Sequence, residues 1–176
     1  AGLDKIDWPE QIKIAQRLWI GRSEDTEVEF PVADSDSRIK AITTRADTIF
    51  GATFLVLAPE HELVSLLKNK IENWSEVERY IKLAQSKSDF ERGQVRDKTG
   101  VRLFGIMVTN PVNNQKIPVF IADYVLATYG RGAIMAVPAH DDRDYQFAKM
   151  FNLPIKQVIV QPEKFDYVRA HIDDQD

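Results

Sequence analysis

The chain contains no cysteine, which removes disulfides and every thiolate metal site and is compatible with a reducing cytoplasm. No apolar run approaches the ~20 residues that a membrane-spanning helix needs. The start, Ala1-Gly2-Leu3-Asp4-Lys5, has neither the basic nor the apolar region of a secretory signal. It lacks an initiator Met, and with the end Asp173-Asp174-Gln175-Asp176 it reads as an excised piece. A basic excess is missing too, the formal net charge being −4. Proteins that track a nucleic-acid backbone gain affinity from each phosphate they neutralise. Any nucleic-acid contact here is therefore expected to be local, at a single-stranded end, and weak for this chain alone. Nucleotide fingerprints are absent: Gly130-Arg131-Gly132 lacks the third spaced glycine, and no Gly-Lys-Thr loop occurs. Neither a nucleophile elbow nor a motif-framed Ser-His-Asp arrangement is present.

What is there suits one globular domain. At 176 residues, with 44% hydrophobic and 28% charged residues, the chain can bury a core and is not disordered. Pro9 can open a helix carrying Ile12, Ala15, Leu18 and Trp19, which Gly21 ends. Val28, Phe30 and Val32 alternate as a half-buried strand, Asp34-Ser35-Asp36-Ser37 is a turn, and Ile39, Ala41 and Thr43 form the returning strand. Phe54 to Ala58 is a short buried strand; Pro59-Glu60 opens a helix with Leu63, Leu66 and Leu67; Trp74, Val77, Tyr80, Ile81 and Ala84 mark another. Ser86 to Gly100 reads as a charged surface excursion. Phe104 to Val108 and Ile117 to Ile121 form a hairpin around Asn110 to Gln115, Ala133 to Val137 is a buried strand, Asp141 to Phe151 a helix, and Ile155 to Val160 a last strand. Hairpins outnumber parallel crossovers, so the expected fold is mixed α/β: a compact barrel-like, largely antiparallel sheet surrounded by helices, not a doubly wound one.

Two polar clusters close apolar runs, where a fold presents chemistry to solvent. In Thr43-Thr44-Arg45-Ala46-Asp47-Thr48-Ile49-Phe50-Gly51, three threonines gather rigid hydroxyls and methyls at a strand end. Threonines are also ordinary strand residues, so the cluster alone carries little. In Tyr129-Gly130-Arg131-Gly132-Ala133-Ile134-Met135-Ala136-Val137-Pro138-Ala139-His140-Asp141-Asp142-Arg143-Asp144-Tyr145, proline stops a strand and acidic residues open a helix. Asp141 and Asp144 share a helix face while Arg143 is expected to point elsewhere. The helix dipole should keep these carboxylates ionised at pH 7, suited to holding an ammonium group. Asp142 fits the capping role best, Asp141 fits capping and binding equally, and Asp144, past the cap, fits a functional role better. His140 with Asp141, Asp142 and Asp144 lacks a spaced second histidine, so no metal site is expected. Gly51, Gly130 and Gly132 fit either plain turns or a close approach of backbone to ligand.

Both segments, together with Gly51-Ala52-Thr53-Phe54-Leu55-Val56-Leu57-Ala58-Pro59-Glu60-His61 and the preceding Trp19-Ile20-Gly21-Arg22-Ser23, resemble the threonine-rich and glycine-rich editing motifs of bacterial-type leucyl-tRNA synthetases. The similarity runs from the Trp8-Pro9 helix to Ile155 and includes neither signature of the aminoacylation site. It implies a single editing domain over residues 1–176, with 1–24 and 160–176 as connectors to a catalytic body. It implies a hydrolase for the ester of a wrong amino acid on the 3′ end of tRNA(Leu), acting in the cytoplasm. No cofactor is implied for editing, ATP and magnesium belonging to the full-length synthetase.

By motif position, Asp144 would hold the substrate ammonium, and Thr48 would exclude leucine while isoleucine, valine or norvaline enters. Thr43 and Thr44 would lie near the ester and terminal ribose. Met135 and Val137 would line the amino-acid pocket, and Asp141 and Tyr129 would support the adenosine. Arg45 and His140 complete the substrate-binding set, Arg45 also fitting a structural role. Ala46 stands where the family commonly has proline, leaving the loop less stiff, and Arg131 where a small residue is usual. Competing readings are a valyl-tRNA synthetase editing domain, a non-catalytic module for the tRNA end or an amino acid, and a metal-dependent phosphoesterase. Asp47-Thr48-Ile49-Phe50-Gly51, Met135 and Arg143 favour the leucyl version.

Overall fold

Proline and glycine punctuate the first helix: Pro9 precedes α1 (Glu10–Ile20), and Gly21, at φ 63°, ends it. The computed structural model describes residues 2–21, 24–94, 99–128 and 130–160. Alternation then builds an antiparallel hairpin from β1 (Thr26–Pro31) and β2 (Arg38–Thr43), in register from Thr26↔Thr43 to Pro31↔Arg38. Its inner face buries Phe30, Ile39 and Ala41, while Lys40 pairs outside with Glu27 and Glu29.

The second sheet runs in the order β4-β5-β3-β6. Its central strand β3 (Phe54–Leu57) is buried at every position, as a strand covered on both faces must be. It pairs parallel with β5 (Lys116–Ile121) and antiparallel with β6 (Ala133–Ala136), and β4 (Val101–Thr109) pairs antiparallel with β5. An isolated bridge, Val32↔Val108, ties the end of the hairpin to β4, and β2 packs beside β6 on the opposite side. The six strands thus encircle one apolar interior that includes Phe30, Leu55, Val119 and Met135. The arrangement is barrel-like and largely antiparallel, without a continuous hydrogen-bonded ladder between β2 and β6 among the described residues.

Helices cover the outside: α2 (Glu62–Leu66), α3 (Trp74–Gln85), α4 (Asp89–Gln94) and α5 (Asp142–Met150). The last is anchored by aromatics. Phe147 stacks on Phe54 and meets Phe120 edge-on, each at 5.3 Å between centroids. That contact fixes the face of α5 on which Asp144, one turn earlier, must lie. No helix among the described residues is long and apolar enough to cross a membrane.

Three expectations need correction. Pro59-Glu60 forms a turn and α2 starts later, because His61 stays extended and caps the helix, its Nδ1 accepting the Leu63 N–H at 3.2 Å. The stretch from Ser86 to Gly100 is not merely surface: Ser88 and Glu91 cap α4 reciprocally, and Arg92 is 4% exposed. Ile155 to Val160 forms no strand, since no sheet edge takes its backbone. It runs instead against the turn containing Gly51, where an added Cβ would sit 2.9 Å from the Lys156 carbonyl. Of the expected connector at residues 160–176, all beyond Val160 lies outside the described residues.

Gly105 interrupts β4 at φ +86°, between the two register blocks of its pairing with β5. A Cβ there would lie 2.4 Å from the Lys70 carbonyl. Gly105→Ala combines a left-handed backbone with a clash against main chain, and should cost about 2–4 kcal/mol. Urea denaturation checks this; a loss below about 0.5 kcal/mol would show that the neighbouring backbone gives way.

Candidate active site

The two polar clusters meet around one cavity of about 270 Å³. Thr43, Thr44, Arg45 and Thr48 contribute one side of it, and Met135, Val137, His140, Asp141 and Asp144 the other. Tyr129 lies outside the described residues. The pairing of β3 with β6 and the packing of β6 beside β2 bring the clusters together.

On the threonine side, a 3-10 turn, Ala46–Gly51, follows β2 directly. The Thr43 hydroxyl accepts the Arg45 N–H at 3.0 Å. The Thr48 hydroxyl donates to the Arg45 carbonyl at 2.7 Å, and Thr48 is only 1% exposed. That bond uses the hydroxyl's proton and holds the side chain in one rotamer, its γ-methyl being fixed with it. The Arg45 guanidinium grips Asp47 in a fork at 2.9 Å and holds that carboxyl below the usual range. Ala46 opens the turn where the family's proline would stand, and Arg131, at φ 64°, is turned to Glu27 at 3.3 Å.

On the acidic side, β6 ends in a turn over Pro138–His140, closed by the His140 N–H bonding to the Val137 carbonyl at 2.8 Å. Asp141 is the helix cap, its Oδ1 accepting from Arg143 N at 2.9 Å and Asp144 N at 3.2 Å. Asp142, expected to cap, is the exposed first helical residue instead; the extended backbone at Asp141 starts the helix one position earlier. Arg143, expected to point elsewhere, lines the cavity, its guanidinium lying 3.6 Å from the Asp141 carboxylate.

Asp144 is 5% exposed and accepts the Val137 N–H at 2.8 Å. Burial pushes its pKa up to about 7; the Val137 N–H opposes the shift, Asp141 adds to it and Arg143 counters it. The expectation of a carboxylate fully ionised by the helix dipole is therefore corrected, because desolvation outweighs the dipole. His140 is held below the ordinary imidazole value, first by burial and then by Arg45, and its Nε2 accepts the Val158 N–H at 3.2 Å. It cannot take a proton at Nε2 without breaking that bond.

Sequence reasoning missed Asp25, Ile42, Tyr124 and Ile134 as cavity walls, and Gly130, left open between a plain turn and an approach to ligand, lines the cavity. Ile42 and Ile134 were within reach as strand neighbours of residues already chosen. Tyr124 carried no signal, lying in a turn after β5 outside both motifs. Among the described residues, no group of three or more His, Asp or Glu side chains could hold a metal ion.

The chain is similar to a chain in the crystal structure of the ternary complex of Agrobacterium radiobacter K84 agnB2 LeuRS-tRNA-LeuAMS, with 35% identity and a TM-score of 0.72. The match covers 98% of this chain and 22% of that one, so this chain spans less than a quarter of its relative. Residues 17–175 match the family described as leucyl-tRNA synthetase, editing domain, and the chain belongs to that family.

Proposed function

We propose that this domain hydrolyses the aminoacyl ester of tRNA(Leu) mischarged with isoleucine, valine or norvaline, and leaves leucyl-tRNA intact. The observation that carries the reading is that Thr48 and Asp144, from distant motifs, line one small cavity. A carboxylate inside it can hold an α-ammonium through a charge-assisted hydrogen bond. A rigid β-branched wall can sort side chains by branching. Such sorting is needed because one methylene in an apolar pocket is worth only about 1–3 kcal/mol, and isomers differ in shape, not volume.

In this reading Asp144 anchors the ammonium and Thr48 is the steric gate. Thr43 and Thr44 face the ester and terminal ribose, Met135 and Val137 line the side-chain pocket, Asp141 supports the adenosine, and His140 completes the substrate-binding set. Arg45 is structural: its fork to Asp47 braces the turn that carries Thr48. Ordered water, backbone groups and the substrate's own ribose hydroxyl carry out the hydrolysis, with no metal and no cofactor. The relative was solved with tRNA, and we carry that partner over, together with a synthetase body that delivers the tRNA end in the cytoplasm.

The test is deacylation in the parent enzyme with tRNA charged by isoleucine, valine or leucine, with and without EDTA. Release from the first two but not the third, unchanged by chelator, is expected. Equal release of leucine, or loss of all release with EDTA, would reject the proposal. Release of threonine from tRNA(Val) in its place would favour the valyl alternative.

A further inference from the structure

Outside the cavity, Arg92 is the one described charged side chain of α4 that is buried, and its hydrogen bonds converge on the cavity wall. Nε donates to the Asp123 carbonyl at 2.7 Å and Nη2 to the Val125 carbonyl at 3.0 Å. The same guanidinium forks onto Glu60, at 2.8 and 3.3 Å. The residue between the two gripped carbonyls is Tyr124, which lines the cavity with Asp144 and meets Phe147 of α5 edge-on at 6.0 Å. Lys87, just before α4, and Tyr80 of α3 hold this turn too. Lys87 pairs with the Asp123 carboxylate at 2.7 Å, and the Asp123 N–H donates to the Tyr80 hydroxyl at 3.0 Å.

We propose that Arg92 is a positioning residue for the cavity: from behind the wall it fixes the turn Asp123-Tyr124-Val125 and so holds the Tyr124 ring over Asp144. The geometry requires arginine. One planar fork satisfies two main-chain carbonyls and a carboxylate at once, whereas the point charge of a lysine cannot reach all three. Tyr124 is the lid on the desolvated carboxylate. Its own hydroxyl is driven to a higher pKa, first by burial and then by the Asp144 charge, so the two groups lie within electrostatic reach of each other. Asp144 faces Asp141 and Arg143 from its own helix and Tyr124 from the β5 side, while Asp25, Arg45 and His140 line the rest of the cavity. If the Tyr124 ring is released, water reaches Asp144 and its midpoint drops toward the ordinary carboxylate range.

The inference rests on the editing role proposed for the cavity, but its test does not need that role. The Asp144 side-chain carboxyl is titrated by carbon NMR in this chain and in Arg92→Gln, Arg92→Lys, Tyr124→Ala and the Arg92→Gln/Tyr124→Ala double variant, each checked for folding by thermal melting. Arg92→Gln and Arg92→Lys should both lower the Asp144 midpoint by about 1 pH unit or more. The Arg92 substitution should add nothing once Tyr124 is Ala, because it acts through that ring. In the parent enzyme the acid limb of the deacylation profile should move the same way, while the plateau of kcat/KM above that limb falls about tenfold because the site is less well positioned. An unchanged midpoint, full restoration by Lys, or additive effects in the double variant would overturn the proposal. If neither Arg92 variant folds, Arg92 is a stability residue and the positioning role is withdrawn. A midpoint that moves as stated in a chain whose parent deacylates nothing would sink the editing role alone.

Discussion

Asp144→Asn is expected to abolish deacylation of isoleucyl-tRNA and, at the same time, to make the chain more stable above neutral pH. Both effects follow from the carboxyl being buried and yet raised only to about pKa 7. A hydrogen bond to a charged group contributes about 1.5–3 kcal/mol, and an ammonium buried without its counter-charge costs several more. A drop in kcat/KM of at least roughly 100-fold is therefore expected.

The stability sign runs opposite to the usual carboxylate. Below about pH 4 folded and unfolded chains both hold the proton. Between there and about 7 the unfolded chain ionises first, so the folded state loses stability as pH rises, and above 7 the penalty is constant. Asn keeps an oxygen for the Val137 N–H but carries no charge to desolvate. Its stability relative to the native residue should improve by ~2 kcal/mol between pH 5 and pH 8, since each tenfold change in proton affinity is worth about 1.4 kcal/mol. Urea unfolding at the two pH values measures it. A difference that does not change with pH would mean that Asp144 is solvated and ionised after all. Improved stability with lost activity is the usual sign of a group kept for function.

The charge state of Asp144 also shows where sequence stops. Periodicity located nearly every strand and helix, because alternation in β1 and β2 and the apolar run of β3 have no other stable placement. It also brought out both motifs, since a strand must end where Thr43 and Val137 meet polar residues. The depth at which α5 sits, however, is set by Phe147 against Phe54 and Phe120, contacts between residues distant in the chain. That depth decides whether the dipole or desolvation governs Asp144. The placement of Arg92 was hidden for the same reason: a charged stretch reads as surface until its carbonyl and carboxylate partners, more than thirty residues away, are known. The apolar stretch Ile155 to Val160 misled in the other direction, because it has β-like composition but packs against the turn containing Gly51 and the His140 ring, not along a strand. Tyr124, a cavity wall, lies outside every local pattern, and Tyr80, its brace, shows in the sequence only as one residue of the apolar face of α3.

Thr48→Ala is expected to open the site to leucine, and a set of three substitutions separates shape from hydrogen bonding. The hydroxyl is occupied by the Arg45 carbonyl at 2.7 Å, so exclusion falls to the γ-methyl and the rigidity of the branched side chain. Removing the methyl frees the space a differently branched ligand needs. Discrimination of that kind is worth about 1–3 kcal/mol, so release of leucine from correctly charged tRNA should rise by roughly 10- to 100-fold while isoleucine release changes little. Thr48→Ser keeps the hydrogen bond and loses the methyl, and should behave like Ala. Thr48→Val keeps the shape and loses the bond; it should still exclude leucine and lose only ~1 kcal/mol in stability. Deacylation of leucyl- and isoleucyl-tRNA by the three variants in the parent enzyme, with chemical denaturation of the isolated chain, decides the matter. If Val admits leucine and Ser excludes it, the gate is the hydroxyl and its hold on the Arg45 turn, and the steric assignment is wrong.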